Sequence, residues 1–363
     1  MKPGKAIFST VFCIALAGCA TVSPPVPETP EEAAAELDRA RQTSVFGPPE
    51  DYRGSTFDEV GRSELYPVRG PDECEVAILD SGEGSFAARL AMLKSAKESI
   101  RIQALVFKGD EAGLRIAEIL KQKKAEGLDV RVIVDAFSNP WLQTQWMFFD
   151  LKQHGIEVEG YEAMALQWIN EVPLPAMMPH YDAGRADKRC HEKLWLIDVE
   201  TEQGVGVTGG LNIGNEYFRV DPENPAAYWR DQDVAVRGAI LADLAAAFDH
   251  TFDYLVDIKK SRGIFNTNIY WDATRSAMDS TGKWPIEFET EPRLVQHVAE
   301  LESAYVGPEY RAARCRFLHN RPREAETYIM QAYLKLISAA RNELLIANAY
   351  FVPTPAIRAA LLD

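Results

Sequence analysis

Residues 189–198 read Arg189-Cys190-His191-Glu192-Lys193-Leu194-Trp195-Leu196-Ile197-Asp198, and the stretch reads as a strand that Asp198 ends. His191 and Lys193 are two apart. On a strand that spacing puts both side chains on one face. After a turn, Gly204 to Val207 reads as a second strand, leading into Thr208-Gly209-Gly210-Leu211-Asn212. The glycines let backbone approach closely, and Asn212 offers an amide donor.

This set of residues has the chemistry of a phosphate site with a nucleophile in it. A neutral imidazole attacks phosphorus. Lys193 supplies a point charge, and Asn212 a neutral donor, to the non-bridging oxygens. Fixed donors of this kind stabilise charge that develops in the transition state, and losing one typically lowers the rate about 100- to 1000-fold.

Working toward the N-terminus, strands alternate with helices. Glu75 to Leu79 reads as a strand, and Ser85 to Ser99 has apolar residues at helical spacing (Phe86, Leu90, Leu93, Ala96). Ile100 to Phe107 reads as a buried strand, and Ala112 to Glu126 as a helix closed by Gly127. Val130 to Val134 is a central strand ending at Asp135. The alternation predicts an α/β domain with a mixed, largely parallel sheet flanked by helices.

Toward the C-terminus the pattern repeats. Ala96 to Ile102 (AKESIRI) lines up with Ala340 to Ile346 (ARNELLI), an offset of 340 − 96 = 244. At that offset Leu90 meets Leu334, Leu93 meets Ile337 and Phe107 meets Phe351. The second copy is therefore expected to open a second lobe like the first. The sequence stops at Asp363 inside what reads as the next helix, with no helix-ending signal, and is expected to continue in the natural protein.

The bulk composition narrows the classes. A formal net charge of −15 repels polyphosphate, so a nucleic-acid partner is not expected. There is no Gly-x-Ser-x-Gly elbow, His-Glu-x-x-His or paired Cys-x2-Cys, so serine hydrolase, zinc protease and zinc finger lack support. No cofactor or metal is implied, because Lys193 takes the place of the cation that many phosphoryl-transfer sites need. Trp141, Trp146, Met147, Phe148 and Phe149 form one apolar cluster, and the run from Met164 to Met178 another. Either core packing or contact with acyl chains accounts for them. Arg185, Lys188 and Arg189 make the approach to His191 basic, which suits an anionic headgroup or an ordinary solvated loop.

The N-terminus reads as a targeting segment. Lys2 and Lys5 precede an apolar stretch, Ala6 to Ala17, too short to span a membrane, which ends in Leu16-Ala17-Gly18-Cys19. This resembles the signal of bacterial lipoproteins, which implies cleavage after residue 18 and lipidation of Cys19. Ala20 follows, and by the same resemblance favours the outer membrane. Residues 19–75, with Ser23-Pro24-Pro25-Val26-Pro27, Thr29-Pro30 and Gly47-Pro48-Pro49, read as an extended tether. Beyond Cys13 and Cys19, three cysteines remain (Cys74, Cys190, Cys315), and nothing in the sequence selects a pair among them.

The string His191-x-Lys193-x4-Asp198 followed by Gly209-Gly210-x-Asn212 resembles the signature of the phospholipase D superfamily. Thr208 to Phe218, Tyr228-Trp229-Arg230-Asp231 and Tyr350-Phe351-Val352-Pro353 are similar to segments of bacterial cardiolipin synthases. The resemblance implies a first phospholipase D-like lobe over residues 76–320 and an incomplete second over 321–363. It implies that His191 is the nucleophile or the general acid of a two-histidine site. Lys193, Asn212 and Gly210 would bind phosphate, and Asp198 would steady the motif. Asp231 or Glu216 would orient His191, which needs a partner to fix its tautomer.

The family uses two such motifs. None of the other histidines, at 154, 180, 250, 297 and 319, begins one. The offset places the second motif near 191 + 244, roughly residue 435. A symmetric pair of single-motif chains is the other arrangement. The activity implied is transfer of a phosphatidyl group from a phospholipid such as phosphatidylglycerol, through a phosphohistidine, to an alcohol. With water as acceptor it becomes a phospholipase D. A nuclease and a non-catalytic lipid-binding lipoprotein are the remaining readings.

Overall fold

The computed structural model describes residues 66–161, 189–262, 287–321, 328–348 and 351–362, with a few isolated positions between 29 and 35. Cys19, the signal, most of the tether, Arg185, Lys188, Tyr350 and the run from Met164 to Met178 lie outside the described residues. The chain divides into two compact units. One comprises Arg69–Asn170 and Arg189–Cys315; the other comprises Met1–Val68, Glu171–Lys188 and Arg316–Asp363.

The first unit is an α/β domain. In chain order it contains β1 (Cys74–Leu79), α1 (Gly82–Ser95), β2 (Ser99–Ala104), α2 (Glu111–Ala125), β3 (Asp129–Asp135), α3 (Leu142–Gln153) and β4 (Glu157–Tyr161). There follow β5 (Leu194–Ile197), β6 (Val205–Gly209), α4 (Asn215–Phe218), β7 (Asp233–Gly238), α5 (Ile240–Arg262), α6 (Pro292–Ser303) and β8 (Arg311–Ala312). The eight strands form one sheet in the order β4-β3-β2-β5-β6-β7-β1-β8.

Caps mark where the helices start. The Ser81 side chain accepts from Gly84 N at 3.0 Å, and that of Asp110 from Gly113 N at 3.1 Å. Each satisfies one of the orphan amides of a first helical turn. Both faces of the sheet are covered. Ile100, Ile102, Val130, Val132, Val134, Trp195 and Val207 share a core with Phe86, Leu90 and Leu93 of α1, Ile116 and Leu120 of α2, Phe148 of α3 and Leu294 of α6. On the other face, α5 packs against β4 to β7. There a Cβ at Gly206 would meet Leu241, Val236 and Leu196 within 3.3 Å, so helix and sheet approach closely at that glycine.

The α/β class and the mixed sheet are as the sequence predicts. The balance of pairing is different: only β2–β3 and β3–β4 are parallel, and the other five pairs are antiparallel. Helical crossovers α2 and α3 make the parallel pairs. β5, β6 and β7, neighbours in the chain and in the sheet, pair antiparallel. The compact unit begins at Arg69 and ends at Cys315, leaving out 171–188. Its two ends are tied together: Cys74 and Cys315 form a disulfide, and Arg69 bridges Cys315 through two backbone hydrogen bonds.

In the second unit α7 (Tyr328–Ala339) and α8 (Pro355–Leu362) pack around Leu334 and Ala356. The repeat holds for the helix, since Leu334 and Ile337 are buried as Leu90 and Leu93 are. It does not hold for the strand. Leu344-Leu345-Ile346 carries no strand and Leu345 is 82% exposed. A strand exists only with a pairing partner, and none is present beside this segment among the described residues.

Candidate active site

The registers gather the site at one end of the sheet. Gln103 of β2 sits opposite Leu194, Leu194 opposite Thr208, Gly209 opposite Asp233, and Asp233 opposite Leu79. The carboxyl ends of β1, β2, β3 and β6 therefore meet the amino ends of β5 and β7. In open α/β sheets this is the end where ligands bind.

His191 and Lys193 stand just before the first paired residue of β5. Lys193 Nζ lies 3.3 Å from His191 Nδ1 and donates to the His191 carbonyl oxygen at 2.6 Å. Lys193 is buried, whereas His191 is exposed. Burial lowers the Lys193 ammonium to about 8, opposed chiefly by the Asp231 carboxylate. Partial desolvation of the ring and the Lys193 charge also hold the His191 imidazole below its usual range, again opposed by Asp231. Near neutral pH the pair is therefore a cation beside a neutral, solvent-facing imidazole.

Asp198 follows β5 with φ of 50°, a left-handed conformation that Asp tolerates. Its carboxylate accepts from the backbone amides of Lys97, Glu98 and Ser99 at 2.7 to 3.1 Å. It thus ties the end of β5 to the start of β2.

The glycine turn lies opposite. Gly209 has φ of +156°, and a Cβ there would come within 2.6 Å of Asp233 Cα and Gln232 O. At Gly210 a Cβ would overlap the Asp231 carboxylate, so the bare backbone makes room for that group. Asn212 Oδ1 accepts from Val106 N at 3.1 Å. With its oxygen engaged, Asn212 has its amide nitrogen left to donate.

The two carboxylates expected beside His191 separate. Asp231 acts on both His191 and Lys193. Glu216 does not orient His191: it forms an ion pair with Lys108, whose ammonium also lies 5.1 Å from the Trp141 ring. The basic approach is partly internal as well. Arg189 lies over the Phe137 ring at 4.3 Å and 3.7 Å from buried Asp135. Of the aromatic cluster, Met147, Phe148 and Phe149 are core, Trp146 is half-buried and Trp141 is exposed.

Two residues here go beyond what the sequence discloses. Asp233 and Arg89 form an ion pair at 2.9 Å with both side chains fully buried. The signal for Asp233 is a charge opening the strand Asp233-Val234-Ala235-Val236; Arg89 looks like an ordinary helical arginine. Among the described residues no group of three His, Cys, Asp or Glu is arranged to hold a metal ion, and no helix is long and apolar enough to cross a membrane.

Part of the chain is similar to known proteins. A family model described as "Cardiolipin synthase, PLD-like domain" matches residues 90–251, which contain the pair, the turn and Asp233. Cardiolipin synthase 1 of Bacillus cereus is 26% identical over 283 residues, covering 78% of this chain and 46% of that protein. A cardiolipin synthase of Halalkalibacterium halodurans is 33% identical over 171 residues, 47% of this chain and 30% of that one. The chain thus spans about half the length of the curated relatives it matches. Phosphatidylserine synthase of Haemophilus influenzae superposes with a TM-score of 0.44 at 14% identity, covering 82% of this chain and 60% of that one. Together these matches show a phospholipase D-like domain in this chain, and His191, Lys193 and the Gly-Gly-x-Asn turn lie inside it.

Proposed function

We propose that this chain carries one half-site of a phosphatidyltransferase of the cardiolipin synthase type. The observation that carries the reading is the buried Lys193 ammonium against the exposed His191 imidazole. In the proposed step a His191 nitrogen forms a bond to phosphorus, and the bond from phosphorus to the headgroup oxygen breaks. Lys193 and Asn212 hold the non-bridging oxygens. The leaving alkoxide takes a proton from a second histidine, and that histidine then removes the proton of the incoming alcohol. The acceptor oxygen then bonds to phosphorus and the bond from phosphorus to His191 breaks, so an alcohol gives transfer and water gives hydrolysis to phosphatidic acid.

The second histidine is proposed to come from a second lobe. Helix α7 supports this. Its exposed Ile329, Tyr333 and Leu336 align, at the offset of 244, with Ser85, Arg89 and Met92 of α1, all of which are buried in the first lobe. A face that the first lobe covers with a sheet is uncovered here. We further propose a cell-envelope location, anchored through Cys19 and favouring the outer membrane. The Cys74–Cys315 disulfide supports an oxidising compartment, where such bonds persist. The net charge of −15 argues against a nuclease.

The test is phospholipid turnover by the full-length natural protein in detergent with EDTA, followed by mass spectrometry from phosphatidylglycerol. Cardiolipin that forms with wild type and vanishes with His191→Ala supports the transferase. Phosphatidic acid alone assigns a hydrolase, and no lipid product rejects both.

A further inference from the structure

Arg89 and Asp233 form an ion pair with no solvent contact, and the phosphate-site chemistry described above makes no use of it. Arg89, from α1, places its guanidinium 5.0 Å from the Trp195 ring and 5.7 Å from the Phe218 ring. Its Nη1 meets Asp233 Oδ2 at 2.9 Å and also Ser85 Oγ. Its Nε and Nη2 have no hydrogen-bond partner. The charge of Arg89 is therefore balanced by Asp233 far more than by dispersed hydrogen bonds. A buried pair of this kind is an expensive way to fill a core, since apolar residues of similar volume often serve as well or better. Its presence calls for something that the pair does.

What Asp233 does is visible in its other contacts. Oδ2 accepts from Ser85 Oγ at 2.7 Å, and Oδ1 accepts from the backbone amide of Leu211 at 3.2 Å. Leu211 lies between Gly210 and Asn212, in the turn that faces His191. Gly209 must lack a side chain for this carboxylate to fit, because a Cβ there would overlap Asp233 Oδ1.

We propose that Asp233 is a positioning residue of the phosphate site, holding the Gly209–Asn212 turn through Leu211 and placing a fixed negative charge behind Lys193. Arg89 pairs with that carboxylate in the core, and the Trp195 and Phe218 rings flank Arg89. The proposal rests on reading Lys193 and Asn212 as a phosphate site. Consistent with it, the Asp233 charge is among those that hold the Lys193 ammonium up against its burial.

The test uses the full chain and tungstate, a tetrahedral dianion, as probe, with affinity measured by calorimetry at pH 6.5 and pH 8.5. Lys193→Met defines binding at the site. Asp233→Asn alone leaves Arg89 buried without its counter-ion, so the informative variants are paired. Arg89→Met with Asp233→Asn keeps an acceptor for Leu211 and is expected to fold. Its affinity should match wild type at pH 6.5 and fall severalfold at pH 8.5, where the Lys193 ammonium is part-titrated and the Asp233 charge no longer supports it. Arg89→Met with Asp233→Leu removes the acceptor too and should weaken binding at both pH values. Wild-type affinity in either paired variant, or a pH-independent loss in the Asn pair, would overturn the proposal. Absence of tungstate binding by wild type would also overturn it. Tungstate binding does not depend on lipid turnover, so a failure of the phosphatidyltransferase reading leaves this result to be read by itself.

Discussion

Lys193 donates to the carbonyl oxygen of His191 at 2.6 Å while its ammonium lies 3.3 Å from that residue's Nδ1, so one buried cation both pins the histidine backbone and faces its ring. The cation discourages protonation of the imidazole, as the proposed nucleophilic role of His191 requires. Burying this cation costs stability. Folding lowers the Lys193 ammonium from 10.5 to about 8. A cation depressed by folding contributes its stability above pH 10.5 and loses it as pH falls through about 8. At pH 7 the folded protein carries the whole penalty.

Lys193→Met is therefore expected to stabilise the protein at pH 7 by about 1 to 3 kcal/mol, after allowing for the lost hydrogen bond, while abolishing turnover. The gain should shrink toward zero by about pH 10.5. Urea unfolding of both proteins at pH 7 and pH 10 checks this. A variant less stable than wild type at pH 7 would contradict the assigned burial cost.

Asp198 is expected to act on folding. Its carboxylate is the acceptor for three backbone amides at the start of β2. Asp198→Ala strands buried donors and should destabilise the domain by about 3 to 5 kcal/mol. Asp198→Asn keeps one acceptor oxygen and should lose about half as much. Denaturant midpoints separate the two, and equal losses would show that the amides are not held by the carboxylate.

Much of this site is legible in the sequence, because its parts are local in the chain. His191, Lys193 and Asp198 lie within eight residues, and the glycine turn follows directly. The helices are legible from apolar spacing, although α1 starts at Gly82 rather than Ser85, where Ser81 caps it. Pairings across long stretches of chain are not legible in this way. Arg89 and Asp233 are 144 residues apart, and nothing in either neighbourhood names the other. Cys74 and Cys315 are separated by 241 residues, and three cysteines offer three equal pairings. Sheet direction likewise depends on which connections cross over, which periodicity does not encode. Glu216 and Asp231 look equivalent as carboxylates near the motif; Lys108, engaged by Glu216, tells them apart.

The two glycines of the turn should respond differently to the same added methyl. At Gly209 the methyl meets backbone, Asp233 Cα and Gln232 O at 2.6 Å, in a conformation that side chains rarely adopt. Gly209→Ala should destabilise by about 1 to 3 kcal/mol or more. At Gly210 the methyl meets only the exposed end of Asp231, which can swing away. Gly210→Ala should keep its thermal midpoint and lose activity. Thermal melts paired with turnover distinguish them, and an unaffected melt for Gly209→Ala would remove the steric argument.

The disulfide makes a prediction about exposure to reductant. It closes the ends of the first unit across 241 residues, and its loss should lower unfolding free energy by about 2 to 5 kcal/mol. The remaining described thiol, Cys190, is buried and its ionisation is pushed up by that burial. Iodoacetamide should therefore label Cys190 only after unfolding. Labelling of the folded, oxidised protein at Cys190, read by peptide mass spectrometry, would show that the approach to His191 opens.

Asp231 and Glu216 can be told apart by the histidine itself. Asp231 lies against the bare backbone of Gly210 and its charge favours protonated His191. Asp231→Asn removes that support, so the imidazole should titrate lower still, and the pH at which His191 becomes a neutral nucleophile should fall with it. Glu216 spends its charge on Lys108 and is not among the groups that shift His191. Glu216→Gln should leave the His191 titration where it is. Ring-proton NMR of the six histidines, with His191→Ala to assign the resonance, reads both variants directly. Equal downward shifts in the two would restore Glu216 to the site, and no shift in either would leave the partial desolvation of His191 and the Lys193 charge as what sets its ionisation.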